Sequence, residues 1–219
     1  MRELPSSSMP WIKVCGLKTF DDVEACIDAG ATHIGLNLYE PSPRAISIER
    51  AIELRAASRG RISVVVLGVK PSNAELLMWE DRIAPDWFQL HGDLQTPDLN
   101  DLKTPFFSAR GLKDAQDLRS ARDLADPFLL IDAKDEKVHG GTGRLAPTEL
   151  ARELCEARRC VLAGGLDPDN VTQQVERVRP VGVDVASGVE HVRGEKSHRL
   201  IVSFCSAAQA ALQAIRKTS

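Results

Sequence analysis

The sequence predicts an α/β protein, a single-domain (β/α)8 TIM barrel, on three observations. Short apolar runs rich in β-branched residues alternate eight times with stretches of helical spacing. The 219 residues, shared among eight such units, leave about 27 apiece, room for one strand, one helix and two short loops. The loops after the last two runs carry glycines, where barrels of this kind present backbone amides to a ligand.

The strands are expected, in order, at Trp11–Cys15, Thr32–Tyr39, Ser63–Val69, Asp86–His91, Pro105–Ala109, Phe128–Asp132, Cys160–Ala163 and Val181–Ser187. After the first, Asp21, Asp22, Val23, Ala25, Cys26 and Ile27 have helical spacing. After the second, Ile48, Ala51, Ile52, Leu54 and Ala57 do the same. A third stretch runs from Ala151 to Ala157, and a last long one from Leu200 to Ile215. Asp167-Pro168-Asp169-Asn170 reads as a helix start after the seventh strand. The count is eight strands and eight helices. Strands alternating with helices imply parallel pairing through right-handed crossovers, and eight units with none left over close the sheet. An open doubly wound sheet is the alternative, usually with about five or six strands and a glycine-rich loop after the first. The first run here ends in Cys15-Gly16-Leu17, which is no GxGxxG.

Residues 1–10 form a polar N-terminal extension and residues 11–219 the barrel, with no linker, charge run or low-complexity segment between them. Residues 1–9 are expected to be loosely attached. They lack the apolar centre of a signal peptide, and no apolar run approaches the roughly 20 residues that span a bilayer. The expected compartment is the cytoplasm. Five scattered cysteines (Cys15, Cys26, Cys155, Cys160, Cys205) include no CxxC pair and no Cys/His cluster at ligand spacing. Reduced thiols and no metal site are therefore expected. A formal net charge of −3 provides no broad positive field for nucleic acid or an anionic membrane, so an anionic ligand needs a local positive site.

In such a barrel the chemistry belongs at the carboxyl ends of the strands and in the loops that follow. That rule selects Cys15 after the first strand, Arg44 in Ser42-Pro43-Arg44 after the second, and His91 at the end of the fourth. It also selects Asp132 at the end of the sixth, Gly164-Gly165 after the seventh and Ser187-Gly188 after the eighth. Glycines let main-chain N–H groups approach a ligand, and amides at a helix start favour an anion; the alternative is that they only turn the chain. A third cluster, Gly140-Gly141-Thr142-Gly143, reads equally as a loop folding over a substrate or as plain surface. Cys15 and Asp132 face one another across the mouth in this scheme, a pair suited to proton abstraction and proton donation. Each alone is as readily a small buried hydrophobe and a helix cap. Lys13 shares Cys15's side of the strand, where it either lends positive potential to the thiol or anchors the interior.

The strings around these positions resemble one family in order. Lys13-Val14-Cys15-Gly16-Leu17, Ser42-Pro43-Arg44-Ala45-Ile46-Ser47, Gln89-Leu90-His91-Gly92-Asp93 and Leu130-Ile131-Asp132-Ala133 with Gly140-Gly141-Thr142-Gly143 are similar to phosphoribosylanthranilate isomerases. So are Ala163-Gly164-Gly165-Leu166-Asp167-Pro168-Asp169-Asn170 and Val183-Asp184-Val185-Ala186-Ser187-Gly188-Val189-Glu190. The resemblance implies a cofactor-free Amadori rearrangement of a phosphoribosyl aminoaldose in tryptophan biosynthesis. It implies Asp132 as general acid, Cys15 as general base and Arg44 on the anthranilate carboxylate. His91, Gly141, Gly164, Gly165, Ser187 and Gly188 are expected to bind substrate. The expected partner is a small phosphorylated molecule, with no nucleic acid and no membrane, and the chain a monomer or homodimer. The sequence departs from the family's common pattern at Asn37, Arg110 and Ser197, none of them a proposed catalytic group. A related isomerase of histidine biosynthesis shares the phosphate loops but resembles this chain less, because it carries an aspartate where Cys15 stands. A catalytically silent phosphosugar-binding barrel is the reading from another class, set against it by the retention of Cys15 and Asp132.

Overall fold

The computed structural model describes residues 4–5, 10–92, 101–132 and 148–217, with the backbone alone for Asp132. In chain order it runs β1 (Trp11–Cys15), α1 (Phe20–Asp28), β2 (His33–Asn37), α2 (Ile48–Ser58), β3 (Ser63–Val69) and α3 (Asn73–Ile83). It continues with β4 (Trp87–His91), β5 (Phe106–Gly111), α4 (Ala115–Arg122), β6 (Leu129–Asp132), α5 (Thr148–Ala157), β7 (Cys160–Leu162) and α6 (Val171–Val178). The last elements are β8 (Gly182–Val185), β9 (Glu190–Val192), β10 (Glu195–Lys196) and α7 (His198–Arg216). Strands β1 to β8 pair in chain order and close into a barrel, β8 returning to β1 in parallel with Lys13 opposite Asp184. The eight expected strands are therefore present. Seven α-helices, not eight, lie among the described residues; the link from β4 to β5 passes through residues 93–100, outside them.

Local chemistry sets the element ends. Thr19 with Asp22 and Ser72 with Glu75 form reciprocal capping boxes that start α1 and α3. Strand β2 stops at Asn37, short of the expected Tyr39, because the Asn37 side-chain oxygen accepts the Tyr39 amide at 2.8 Å and turns the chain. Strand β8 stops at Val185 and not at Ser187. Ala186, at φ −126° and ψ −78°, leads into a 3-10 turn over Ser187–Val189. Beyond it lies a feature the sequence reading did not anticipate, an antiparallel hairpin of β9 and β10.

Alternation along the strands divides the apolar residues between two cores. Ile12, Val14, Ile34, Leu36, Val64 and Val66 face the helices, while Trp11, Val65, Trp87, Phe107, Phe128, Leu130 and Val161 fill the barrel. The aromatic side chains cluster at the amino ends of the strands, with Phe107 on Phe128 at 4.4 Å and Trp11 against Phe128 at 4.9 Å between ring centroids. Leu4 packs against this plug, so the expected looseness of the N-terminal extension does not extend to that residue. A sealed base leaves the carboxyl end of the barrel as the place for a site.

Candidate active site

Cys15 ends β1, buried, with its side chain over β2. Gly35 makes that placement possible: a Cβ there would lie 2.6 Å from Cys15 Sγ and 3.1 Å from Lys13 Cε. Lys13 sits two residues below on the same face. Its Nζ donates to Asp184 Oδ1 of β8 at 2.8 Å with no solvent exposure. Both readings of Lys13 thus hold, because an anchored ammonium is also a fixed charge beside the thiol. Burial pushes the Cys15 thiol up, Lys13 pulls it down, Asp184 adds to the rise and Lys196 opposes it more weakly; the net direction is upward. The unliganded thiol is therefore held protonated at neutral pH.

Arg44 reaches the same rim from the loop after β2. Gly16, with φ +81°, leaves the gap that its stem fills: a Cβ there would come within 2.6 Å of Arg44 Cδ. The guanidinium is engaged from β9, where Nε and Nη2 donate to the two oxygens of Glu190 at 2.6 and 2.9 Å. The same carboxylate accepts Lys196 Nζ at 2.9 Å and the Gly194 amide at 3.1 Å. Lys196 also donates to the Ala186 carbonyl at 2.8 Å. Burial works against the Glu190 anion, but Arg44, Lys196 and the Gly194 amide outweigh it and hold the carboxyl at about 2. Burial pulls the Lys196 ammonium down, opposed by Glu190. None of Asp184, Glu190 and Lys196 was assigned a role from sequence. The available signal was Gly194, at φ +86°, between two short polar-apolar stretches, the mark of a hairpin.

The glycine loops meet as well. A Cβ on Gly188 would collide with the Leu166 carbonyl oxygen, so the 3-10 turn after β8 lies directly on the loop after β7. Gly164 and Gly165 take φ +85° and +67°, and among the described residues their amides have no acceptor. The predicted helix start there is realised differently. Asn170 caps nothing with its side chain; its Nδ2 donates to the Gly165 carbonyl at 2.9 Å and its Oδ1 accepts the Asp167 amide at 3.0 Å. Asp167 takes the Asp169 and Asn170 amides instead, each at 2.9 Å. Asn170 thus holds the loop whose glycines were singled out.

His91 stands at the end of β4 with Nε2 at 2.8 Å from Gln89 Nε2. Asp132 ends β6 opposite Gly111 of β5, at the barrel end where Cys15 closes β1. Gly141 lies outside the described residues. The structure brings Cys15, Lys13 and Arg44 into one cluster and Gly164, Gly165, Ser187 and Gly188 into another.

A family model described as N-(5'phosphoribosyl)anthranilate (PRA) isomerase matches residues 12–207. The chain belongs to this family. It is 38% identical to the N-(5'-phosphoribosyl)anthranilate isomerase of Haloferax volcanii over 213 residues, 94% of this chain and 96% of that one. The phosphoribosyl anthranilate isomerase of Thermotoga maritima superposes with a TM-score of 0.83 at 29% identity, covering 92% of this chain and all of that one. A phosphoribosyl anthranilate isomerase in complex with reduced 1-(o-carboxyphenylamino)-1-deoxyribulose 5-phosphate superposes at 0.80 with 27% identity over the same shares. The phosphoribosylanthranilate isomerase family is thus met from the sequence strings, from the curated relative and from the barrel. No helix among the described residues is long and apolar enough to cross a membrane.

Proposed function

We propose that this chain isomerises N-(5-phosphoribosyl)anthranilate to 1-(2-carboxyphenylamino)-1-deoxyribulose 5-phosphate in tryptophan biosynthesis, with Cys15 and Asp132 as its base and acid. The observation that carries the reading is a family match over nearly the whole chain, on a barrel whose first strand ends in a buried thiol beside a fixed lysine. Asp132 donates a proton to the ribose ring oxygen, the C1′–O bond breaks and a Schiff base forms. The Cys15 thiolate takes the C2′ proton, and the resulting enolamine tautomerises to the ketone. C2′ is oxidised as C1′ is reduced, so the electrons balance within the substrate and no cofactor is required.

Several features support the binding roles. Asp132 is the last residue of β6, at the barrel end where β1 closes with Cys15. Two strands, β7 and β8, separate β6 from β1 around the ring, so a pentose between them meets acid and base from different sides. The amides of Gly164, Gly165, Ser187 and Gly188 suit a phosphate, and Gly141, outside the described residues, is assigned to the same role on the family resemblance. Arg44 suits the anthranilate carboxylate, and His91 stands at the same rim. We place the enzyme in the cytoplasm, as a monomer or homodimer.

The test is turnover of freshly prepared phosphoribosylanthranilate by the purified protein, together with growth of a tryptophan auxotroph lacking this step. Turnover and rescue are expected. A folded protein that leaves the substrate unchanged and the auxotroph unrescued would overturn the proposal.

A further inference from the structure

The charges around Arg44 pose a problem for carboxylate recognition. Arg44 and Glu190 form a bidentate pair, almost fully buried, with side-chain exposures of 8% and 4%. By themselves they are neutral, and two of the guanidinium's nitrogens are already committed to Glu190. A neutral pair in a desolvated site offers a ligand carboxylate no net attraction. Lys196 is the third member. Its side chain is 1% exposed, and its Nζ meets Glu190 at 2.9 Å and the Ala186 carbonyl at 2.8 Å. Glu190 therefore accepts four donors from three sources while lending one negative charge to two cations.

We propose that Lys196 sets the charge of the Arg44 subsite, drawing on Glu190 so that Arg44 meets a substrate carboxylate as an effective monocation. The inference rests on the preceding assignment of Arg44 to the anthranilate carboxylate. Arg44, Glu190 and Lys196 together carry one positive charge, which a monoanionic carboxylate neutralises. Lys196 acts through Arg44 and not on the ligand, since its ammonium is held by β9 and by the chain leaving β8. The β9–β10 hairpin supplies the geometry. Lys196 lies at its register shift, and a Cβ on Gly194 would sit 2.6 Å from the Pro43 carbonyl oxygen, so the hairpin presses on the loop that carries Arg44. Glu190 in turn positions the guanidinium, which leaves its Nη1 side for the ligand.

The experiment measures dissociation constants by calorimetry for reduced 1-(o-carboxyphenylamino)-1-deoxyribulose 5-phosphate and for its phenylamino counterpart without the carboxylate. Wild type should prefer the carboxylate-bearing ligand. Lys196→Met should weaken that ligand roughly 10- to 100-fold, the weight of one hydrogen bond to a charged group, and change the other by less than about threefold. The double variant Lys196→Met/Glu190→Gln restores the single positive charge and should recover most of the preference, an interaction that independent losses would not produce. If Lys196→Met does not fold, Glu190→Gln alone reads the same claim with opposite sign, by widening the preference.

Equal weakening of both ligands by Lys196→Met, a double variant worse than the single, or a preference narrowed by Glu190→Gln would overturn the inference. A wild type that does not discriminate, or whose discrimination survives Arg44→Met, removes the Arg44 assignment and this inference with it. Discrimination that depends on Arg44 and is untouched by Lys196→Met removes this inference alone.

Discussion

At its amino end the barrel is filled by Trp11, Trp87, Phe107 and Phe128, ring against ring. At its carboxyl end, reached in four residues along β1, it holds Lys13 on Asp184, the Cys15 thiol, and the Arg44–Glu190–Lys196 group. Both ends are buried, by opposite chemistry. The aromatic end gains from every Å2 removed from water. The charged end bears a desolvation cost that its ion pairs only offset, so buried pairs of this kind are weak evidence for stability. The lower end holds the fold together, and the upper end gathers the charges on which the proposed reaction draws.

The sharpest way to break that division is to remove the acid or the base. Asp132→Asn and Cys15→Ser should each lower kcat roughly 10²- to 10⁴-fold, the usual contribution of a general acid or base, while the melting temperature stays near wild type. Steady-state assays beside thermal melts check both halves. A large loss of stability would mean that the mouth also carries the fold.

The complementary change is Phe107→Ala at the base. It should cost about 3–5 kcal/mol in denaturant unfolding and leave kcat per folded molecule unchanged. A kcat that falls along with stability would show the two ends to be mechanically coupled.

Smallest in effect, and aimed at the boundary, is Lys13→Met combined with Asp184→Asn. Removing both charges takes away the cation that pulls the Cys15 thiol down and the weaker anion that pushes it up. The thiol should titrate higher, and the neutral-pH rate should fall by up to about tenfold, one pH unit of thiolate. Stability should change little or rise, as for other buried pairs replaced by neutral groups. The pH dependence of Cys15 alkylation reads the shift.

The same contrast explains what was legible in the sequence. Strands announce themselves by apolar alternation, so all eight are visible, and the rule that sites sit at strand carboxyl ends selects Cys15, Asp132 and the glycine loops as candidates. Exact strand ends were not visible where one side chain stopped them, as Asn37 does by accepting the Tyr39 amide. The Arg44 partner was hidden for a different reason. Glu190 lies 146 residues away, in a hairpin of three- and two-residue strands too short for any period to register. The spacing of Asp167 to Asn170 marks a helix start, but which residue takes the amides and which holds the loop depends on side-chain rotamers that no spacing encodes.

In the proposed reaction the proton leaves the sugar for a thiolate at the mouth of the barrel. Because burial holds the Cys15 thiol above the ordinary range, the thiolate fraction, and with it the rate, rises with pH through the thiol's own titration. The direct measurement is the pH profile of kcat/KM laid beside the alkylation rate of Cys15 followed by peptide mass spectrometry. The two should climb together and bend at one pH, above the usual thiol value. A kcat/KM that stays flat while Cys15 titrates would contradict it.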